Sequence, residues 1–515
     1  MSVHSSEHAR IPVAIVGAGP VGLSLALGLA RHGVPSILIE RKTGTSRYSK
    51  APGLHVRTRE IFRQWGIEQR FLDLGVLRRA ITLHAAGPGS RSLLSIDFSE
   101  LDAEADRPGL LVLEQGHTER LLLEAVQESG LCDVLFGVEA VGLVPGAAGA
   151  RLAIREDGAE RALDAGFVVG CDGASSFVRH ALELPFEGIT YAIRPVLADV
   201  RVDDERDVLP WPRILNGRGG VTAAIRLQPG LWRIIRIERG EPAKGEEVPA
   251  EEVGLRVDEV LGRGPFAIVW ASRFRIHLRS SPRFRVGRVL LAGDAAHVHS
   301  PAGGLGMNAG IQDAHNLAWK LAYALGGGDI DRLLDSYEVE RRAVVVDSVS
   351  RYADLVTRLF LQAPWIARAG VLFLFRVMLG IPRVRRMYLR RMTMIDLDYP
   401  ASPLLNLQDR SAGVRLPNPR LRSATGTDVR LYDLLPNGPV ILDVGTNREL
   451  KGDLPLQDVI RIGPGGYHDP TGLLCGLLGG TDGWILVRPD RHVAWARDRL
   501  EGIGDAVRHA LGTAG

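Results

Sequence analysis

Gly17, Gly19 and Gly22, with an acid at Glu40, have the types and spacing to hold a pyrophosphate and a ribose. Gly17 permits a tight strand-to-helix turn, and Gly19 lets bare backbone approach a pyrophosphate. Gly22 allows close helix–strand contact. Pro20 lies between them, and the N-terminus of the following helix offers N–H groups and partial positive charge to an anion. Glu40 closes the next strand about 20 residues on, where a carboxylate can bind a ribose hydroxyl, and Arg41 beside it joins the expected cofactor residues. A ligand-free turn would need only the glycines. Strand, helix, strand and acid together favour a dinucleotide without saying which one.

A second stretch, Arg288-Val-Leu-Leu-Ala-Gly-Asp-Ala-Ala-His297 followed by Pro301-Ala-Gly-Gly-Leu-Gly-Met-Asn308, makes that distinction. Val289 to Ala292 reads as a buried strand with Gly293 and Asp294 at its carboxyl end, where ligands bind in open α/β sheets. The Asp294 carboxylate can accept hydrogen bonds from a polyol. Pro301, Gly303, Gly304 and Gly306 bring backbone close to a ligand, and Asn308 is expected as a helix N-cap. A helix starting there would aim its N–H groups at an anion such as the N1–C2 carbonyl edge of a reduced flavin. The two stretches in this order point to FAD and to an oxidoreductase.

The elements that must position these residues are legible. Val13–Val16 is a strand, Val21–His32 a helix stopped by Gly33, and Ser36–Ile39 a second buried strand. Helical spacing recurs over Thr58–Gly66 and Thr118–Val126. Phe167–Cys171 is a strand closed by Asp172-Gly173. Alternating runs between Pro185 and Phe284 suggest an inserted antiparallel sheet. A long helix follows Ala309, further helices run to about Met394, and proline-rich punctuation precedes a small α/β tail. The expected class is α/β. A Rossmann-like FAD-binding domain takes residues 1–184 and 285–400, a mixed or antiparallel substrate domain 185–284, and a C-terminal domain 401–515.

Composition narrows the classes. The chain has 515 residues, Lys+Arg 63 against Asp+Glu 60 and a net charge of +3, with no basic run interleaved with aromatics, so no nucleic-acid partner is expected. Ile11–Ala30 has the length of a membrane span, but Pro12, Pro20 and the glycines favour a buried βαβ, and no span is expected. A second apolar patch, Ala369–Phe375, is cut by Arg376 and reads as a core-facing or interface helix. Three cysteines without a C-x-x-C pair suit a reducing cytoplasm and argue against zinc or dithiol chemistry. His297 and His299 read as polar packing near the flavin, not as metal ligands. No context marks His55, His84 or His117 as a base, and Trp211, Trp232 and Trp270 read as core.

With these residues in hand, the chain resembles the single-component FAD-dependent aromatic hydroxylases, which have the fold of para-hydroxybenzoate hydroxylase. It is most similar to phenol hydroxylase-like members and to hydroxylases of aromatic polyketides. The likeness rests on Gly17–Gly22, Cys171-Asp172-Gly173 and Gly293-Asp294, and runs from about Val13 to Glu340. It implies that Glu40 holds the adenosine ribose, that Asp294 binds the ribityl chain, and that Gly306, Met307 and Asn308 contact the isoalloxazine. It further implies that Asp172 serves FAD and the nicotinamide donor, that Gln115 contacts FAD, that Arg47 or Lys50 lies near the pyrophosphate, and that Arg57 lies beside the flavin.

The resemblance also implies an activity. NADPH or NADH reduces the flavin, and O2 adds to it as a C4a-hydroperoxide. One oxygen atom then enters a phenolic or polycyclic polyketide-type aromatic substrate. Baeyer–Villiger insertion or epoxidation on the same scaffold is the near alternative, and a non-catalytic flavin-bound scaffold the distant one. A halogenase is disfavoured by the lack of a Trp-x-Trp-x-Ile-Pro string. A homodimer is left open. The tail resembles a thioredoxin-like domain through Gly413–Pro417 and Trp484–Pro489. It lacks paired cysteines, which points to a structural or assembly role, with Cys475 as a buried apolar residue. Ser281 and Ser300 stand where alanine and a second proline are usual in the family.

Overall fold

A computed structural model of the chain describes residues 10–46, 51–86, 91–240, 247–301, 303–405, 409, 411–446, 456 and 458–513. The first half opens with strand β1 (Ile11–Val16), helix α1 (Pro20–Arg31) and strand β2 (Ser36–Glu40). Helix α2 (Val56–Gln64), helix α3 (Gln115–Ser129), strand β3 (Cys132–Phe136) and strand β4 (Ala159–Gly170) follow. Strand β5 (Val289–Leu291), helix α4 (Leu305–Leu325) and helix α5 (Ile330–Arg342) lie beyond the middle segment. Residues 285–286, β5, β4, β1, β2 and β3 are neighbours in one sheet. The pairs β1–β2, β1–β4, β4–β5 and β2–β3 are parallel, with Ile15 opposite Leu38 and Val169, and Val169 opposite Leu290. Parallel strands buried on both faces explain the unbroken apolar runs of β1 and β5.

This register brings three distant turns to one sheet edge. Gly17 follows β1, Cys171-Asp172 follows β4 and Gly293-Asp294 follows β5, each at a carboxyl end. Helices α1 and α4 pack where side chains are missing. A Cβ on Gly310 would lie 2.5 Å from Val21 Cγ2, and one on Gly28 would lie 2.8 Å from Ala318 Cβ. The two glycine-bearing stretches therefore touch directly.

The middle sheet runs in the order 266–273, 193–202, 231–239, 220–228, 213–217, 80–85 and 92–97. Its last two strands come from outside 185–284, and the 213–217 strand pairs with 80–85 in parallel. Trp232 is fully buried there, packs with Val253 and Val257, and donates its indole N–H to Asp207 Oδ1 at 3.1 Å. The core reading fits Trp232, whereas Trp211 and Trp270 are only half-buried.

The tail holds a four-stranded sheet in the order 459–462, 440–444, 483–487 and 493–497, followed by a helix at Ile503–Leu511. Cys475 is half-buried rather than buried, with its Sγ 3.5 Å from the Thr481 carbonyl. Between the two regions lie helix α6 (Trp365–Leu379) and helix α7 (Pro382–Met392), bent by 109°. The apolar patch expected to face the core or an interface is not in the core, since Phe373 and Leu374 are 70% and 58% exposed. Among the described residues no single helix is long and apolar enough to cross a membrane.

Candidate functional site

A cavity of about 250 Å³ opens at the carboxyl edge of the parallel sheet. Gly17, Gly19, Pro20, Glu40, Arg41, Gln115 and Asp172 all line it. Gly17 sits at φ 106°, and a Cβ there would lie 2.6 Å from the Cys171 carbonyl oxygen. A Cβ on Gly22 would lie 1.9 Å from the Gly17 carbonyl oxygen. Both glycines are thus required by the turn itself. Gly19 differs, because nothing among the described residues lies within 4 Å of where its Cβ would be. Its bareness serves the open space in front of α1, whose N-terminus has Pro20 in its first turn and no side-chain cap.

Glu40 is pinned at the cavity floor. Its two oxygens accept N–H groups of Ala18 and Lys42 at 2.9 and 3.0 Å, which leaves one lone pair on each for a diol. Asp172 accepts the Val178 N–H at 3.1 Å through Oδ2, while its buried Oδ1 has no partner among the described residues. Burial pushes the Asp172 carboxyl above its ordinary value, against the hydrogen bonds from Ser176 and Val178. Gln115 accepts the Ala51 N–H at 3.3 Å and donates to Glu119 Oε1 at 2.8 Å. Glu119 itself, passed over by the sequence reading, is buried, lines the cavity and accepts the Ser46 N–H at 2.7 Å. Its position four residues after Gln115, one turn along the same face, was the available signal.

Helix α4 begins at Leu305, not near Asn308, and its N-cap is Gly304 in the left-handed region at φ 67°. Asn308 therefore does not cap the helix. It is fully buried, and its Oδ1 accepts the His55 N–H at 2.9 Å and the Thr58 hydroxyl at 2.7 Å. Its Nδ2 donates to the Gly53 and Gly304 carbonyls at 2.9 and 2.8 Å. With its amide saturated, Asn308 braces the approach to the helix. The orphan donors are the N–H groups of Leu305, Gly306 and Met307. Pro301 holds the loop, its carbonyl accepting the Gly304 N–H at 3.0 Å.

Gly293 and Asp294 form a short 3₁₀ turn with Asp294 exposed. The turn is clamped from α4. Asp313 Oδ2 accepts the Gly293 N–H at 3.0 Å and bonds His297 Nε2 at 2.6 Å, while Oδ1 accepts Arg341 Nε at 2.7 Å. Burial alone would raise the Asp313 carboxyl, but His297 and Arg341 outweigh it and hold it below its ordinary value. Asp313 was also missed. Its signal was a carboxylate on the apolar face of α4, which had to find partners. His299 stacks on His297 at 6.1 Å, and both its ring nitrogens are buried without a partner among the described residues. A Cβ on Gly306 would be 3.8 Å from His299 Nε2, so this imidazole faces the start of α4. Burial, with the charge of His297, lowers its pKa to about 3.

Arg57 does not line the cavity. Its guanidinium bonds Glu60 Oε2 at 3.3 Å and the Asp490 carbonyl at 2.7 Å, so α2 spends it on the tail. Arg47 and Lys50 fall outside the described residues.

The residues present fit a flavin dinucleotide. Asp172 Oδ1 is a buried acceptor waiting for a donor, Gly19 leaves room for a pyrophosphate, and the uncapped start of α4 suits an anionic ring edge.

Comparison with known proteins agrees. Residues 10–352 match the FAD binding domain family, and residues 409–514 match the C-terminal domain of aromatic-ring hydroxylases. An uncharacterized aromatic compound monooxygenase of Bacillus subtilis is 34% identical over 94% of either chain. The 6-methylpretetramide 4-monooxygenase of Streptomyces rimosus is 33% identical over 94% of this chain and 90% of its own. The solved anhydrotetracycline hydroxylase of Streptomyces rimosus superposes with a TM-score of 0.81 at 29% identity, covering 98% of this chain and all of its own. The chain belongs to the FAD-dependent aromatic hydroxylases and is a flavoprotein monooxygenase.

Proposed function

We propose that the chain uses NADPH or NADH as a transient electron donor and O2 as co-substrate to hydroxylate a polycyclic, phenolic aromatic of polyketide type. The observation that carries this reading is the convergence of three corners on one sheet edge, Gly17–Gly22, Asp172 and Gly293–Asp294, with the uncapped start of α4 beside them. The tetracycline-type substrates named for two relatives support the substrate class.

FAD, when bound, supplies the redox chemistry that activates dioxygen. The chain's part is to bind and orient. Glu40 would take the ribose hydroxyls, the α1 N-terminus the pyrophosphate and Asp294 the ribityl chain. The Leu305–Met307 N–H groups would stabilise negative charge at the ring edge. Asp172 would accept a hydrogen bond at the FAD cavity. Asp313, held by Arg341 and His297, keeps the Gly293 turn in place so that these groups need not reorganise.

We further propose the three-part division of residues 1–184 with 285–400, 185–284, and 401–515, strands 80–85 and 92–97 joining the middle sheet. The proposed setting is the cytoplasm. A screen of phenolic polycycles that follows NAD(P)H oxidation and product mass tests the reading. A gain of one oxygen atom in a ring position supports it. Oxidation of NAD(P)H that no aromatic stimulates contradicts it.

A further inference from the structure

Helices α6 and α7 present an outer face that the aromatic hydroxylase reading does not use. Ile366, Phe373, Leu374, Val377, Ile381 and Met387 are each more than half exposed, from 52% to 70%. Such a cluster in one bent pair exceeds the scatter of single apolar residues normal on a soluble surface. The pair is fixed to the body by its inner side. Arg368 is buried and donates to Asn216 Oδ1 at 2.7 Å and the Gly217 carbonyl at 2.6 Å, while Arg385 pairs with Glu100 at 2.5 Å. The outward face is therefore held in place rather than left as a loose flap.

Charge on this segment has one sign. Residues 364–395 hold seven arginines and neither aspartate nor glutamate. Arg376 and Arg383 are exposed among the apolar side chains, while Arg385, Arg386, Arg390 and Arg391 are paired with Glu100, Glu104 and Asp396. Apolar residues with long cationic side chains at their margin form the pattern of a helix lying in a lipid interface, the guanidinium groups reaching back to anionic headgroups. We propose that the α6–α7 pair docks the protein on an anionic lipid surface, lying on the bilayer without spanning it. A helix of 15 residues is about 22 Å long, short of the roughly 30 Å hydrocarbon core. A second copy fits this face less well, because a two-fold contact would set the same arginines against each other.

Vesicle flotation of the FAD-loaded protein tests the proposal, with phosphatidylcholine alone and with equal parts phosphatidylglycerol. The protein is expected to float with the mixed vesicles at low salt and to stay down with phosphatidylcholine alone. Arg376→Gln and Arg383→Gln should each weaken the partitioning roughly fivefold. A double variant, Phe373→Asp with Leu374→Asp, should abolish flotation while keeping the parent's flavin content and circular dichroism. Failure of the parent to float on mixed vesicles overturns the proposal, as does undiminished flotation of the double variant. A parent dimer that the double variant splits also overturns it, because the face then belongs to a second copy.

Discussion

Arg488 grips Glu340 through two hydrogen bonds, 2.7 and 2.9 Å long, across 148 residues of sequence, with both side chains fully buried. Glu340 also receives Lys320 Nζ at 2.6 Å and Asn316 Nδ2 at 2.7 Å, both from α4. Burial would raise the Glu340 carboxyl, but Arg488 and Lys320 outweigh that and keep it charged. The tail is thereby bolted to the helix whose other end faces the flavin site. Arg488→Ala leaves buried carboxylates short of a partner and should cost about 3–5 kcal/mol in urea unfolding. A loss under about 1 kcal/mol would show that the tail is only loosely attached.

Gly22 and Gly19 should respond differently to alanine. At Gly22 the new methyl collides with the Gly17 carbonyl, so Gly22→Ala should lower stability by roughly 1–3 kcal/mol and lose flavin with it. At Gly19 the methyl meets no protein atom, so Gly19→Ala should fold with stability within about 0.5 kcal/mol of the parent. It should nonetheless bind FAD roughly tenfold or more weakly, because the methyl stands where a pyrophosphate must approach. Parent-like FAD affinity in Gly19→Ala would place the pyrophosphate elsewhere.

Asp294 is exposed at the turn after β5, so its removal should leave the fold intact. Asp294→Ala should weaken FAD binding by roughly tenfold through the lost charge-assisted hydrogen bond to a polyol. Fluorescence titration of the apoprotein reads this directly. Unchanged affinity would remove Asp294 from the ribityl site.

His55 gives the protein an acid sensitivity. It is buried and bonded to the Gly303 carbonyl at 2.9 Å. Burial lowers its pKa to about 4, against the pull of the Gly303 and Gly304 carbonyls. The unfolded chain takes up a proton as pH falls below about 6.5, while the folded chain does not until about 4. Stability should therefore drop over that window at about 1.4 kcal/mol per pH unit for this group. His55→Asn should lose about 2 kcal/mol less than the parent between pH 7.5 and pH 5.0 in urea unfolding. Equal losses would show that other groups carry the acid response.

Much of the site could be read from residue types, because glycines and short apolar strands at a sheet edge leave local signatures. Gly17, Gly19 and Glu40, marked by their spacing, and Gln115 and Asp172, marked by the family resemblance, fall around one cavity. What escaped was long-range. Asp313 and Arg488 lie in segments whose local pattern is legible, but the partners of Asp313, Glu340 and Arg488 are set by packing alone. The start of α4 was misplaced because Asn308 has the chemistry of a cap, whereas Gly304 supplies the left-handed turn and Asn308 bonds inward. Arg57, set beside the flavin by the family resemblance, also bonds the tail through the Asp490 carbonyl, a contact that no local pattern reveals. Strands 80–85 and 92–97 join a sheet whose other strands begin only at Ile193, a separation that no local pattern bridges.

The central claim is that two distant glycine-bearing stretches close around one FAD. Titration of the apoprotein with FAD, followed by flavin absorbance of the washed and then heat-denatured protein, tests it most directly. The expected result is one FAD retained and released per chain. Retention of no flavin by the reconstituted, folded protein would contradict it.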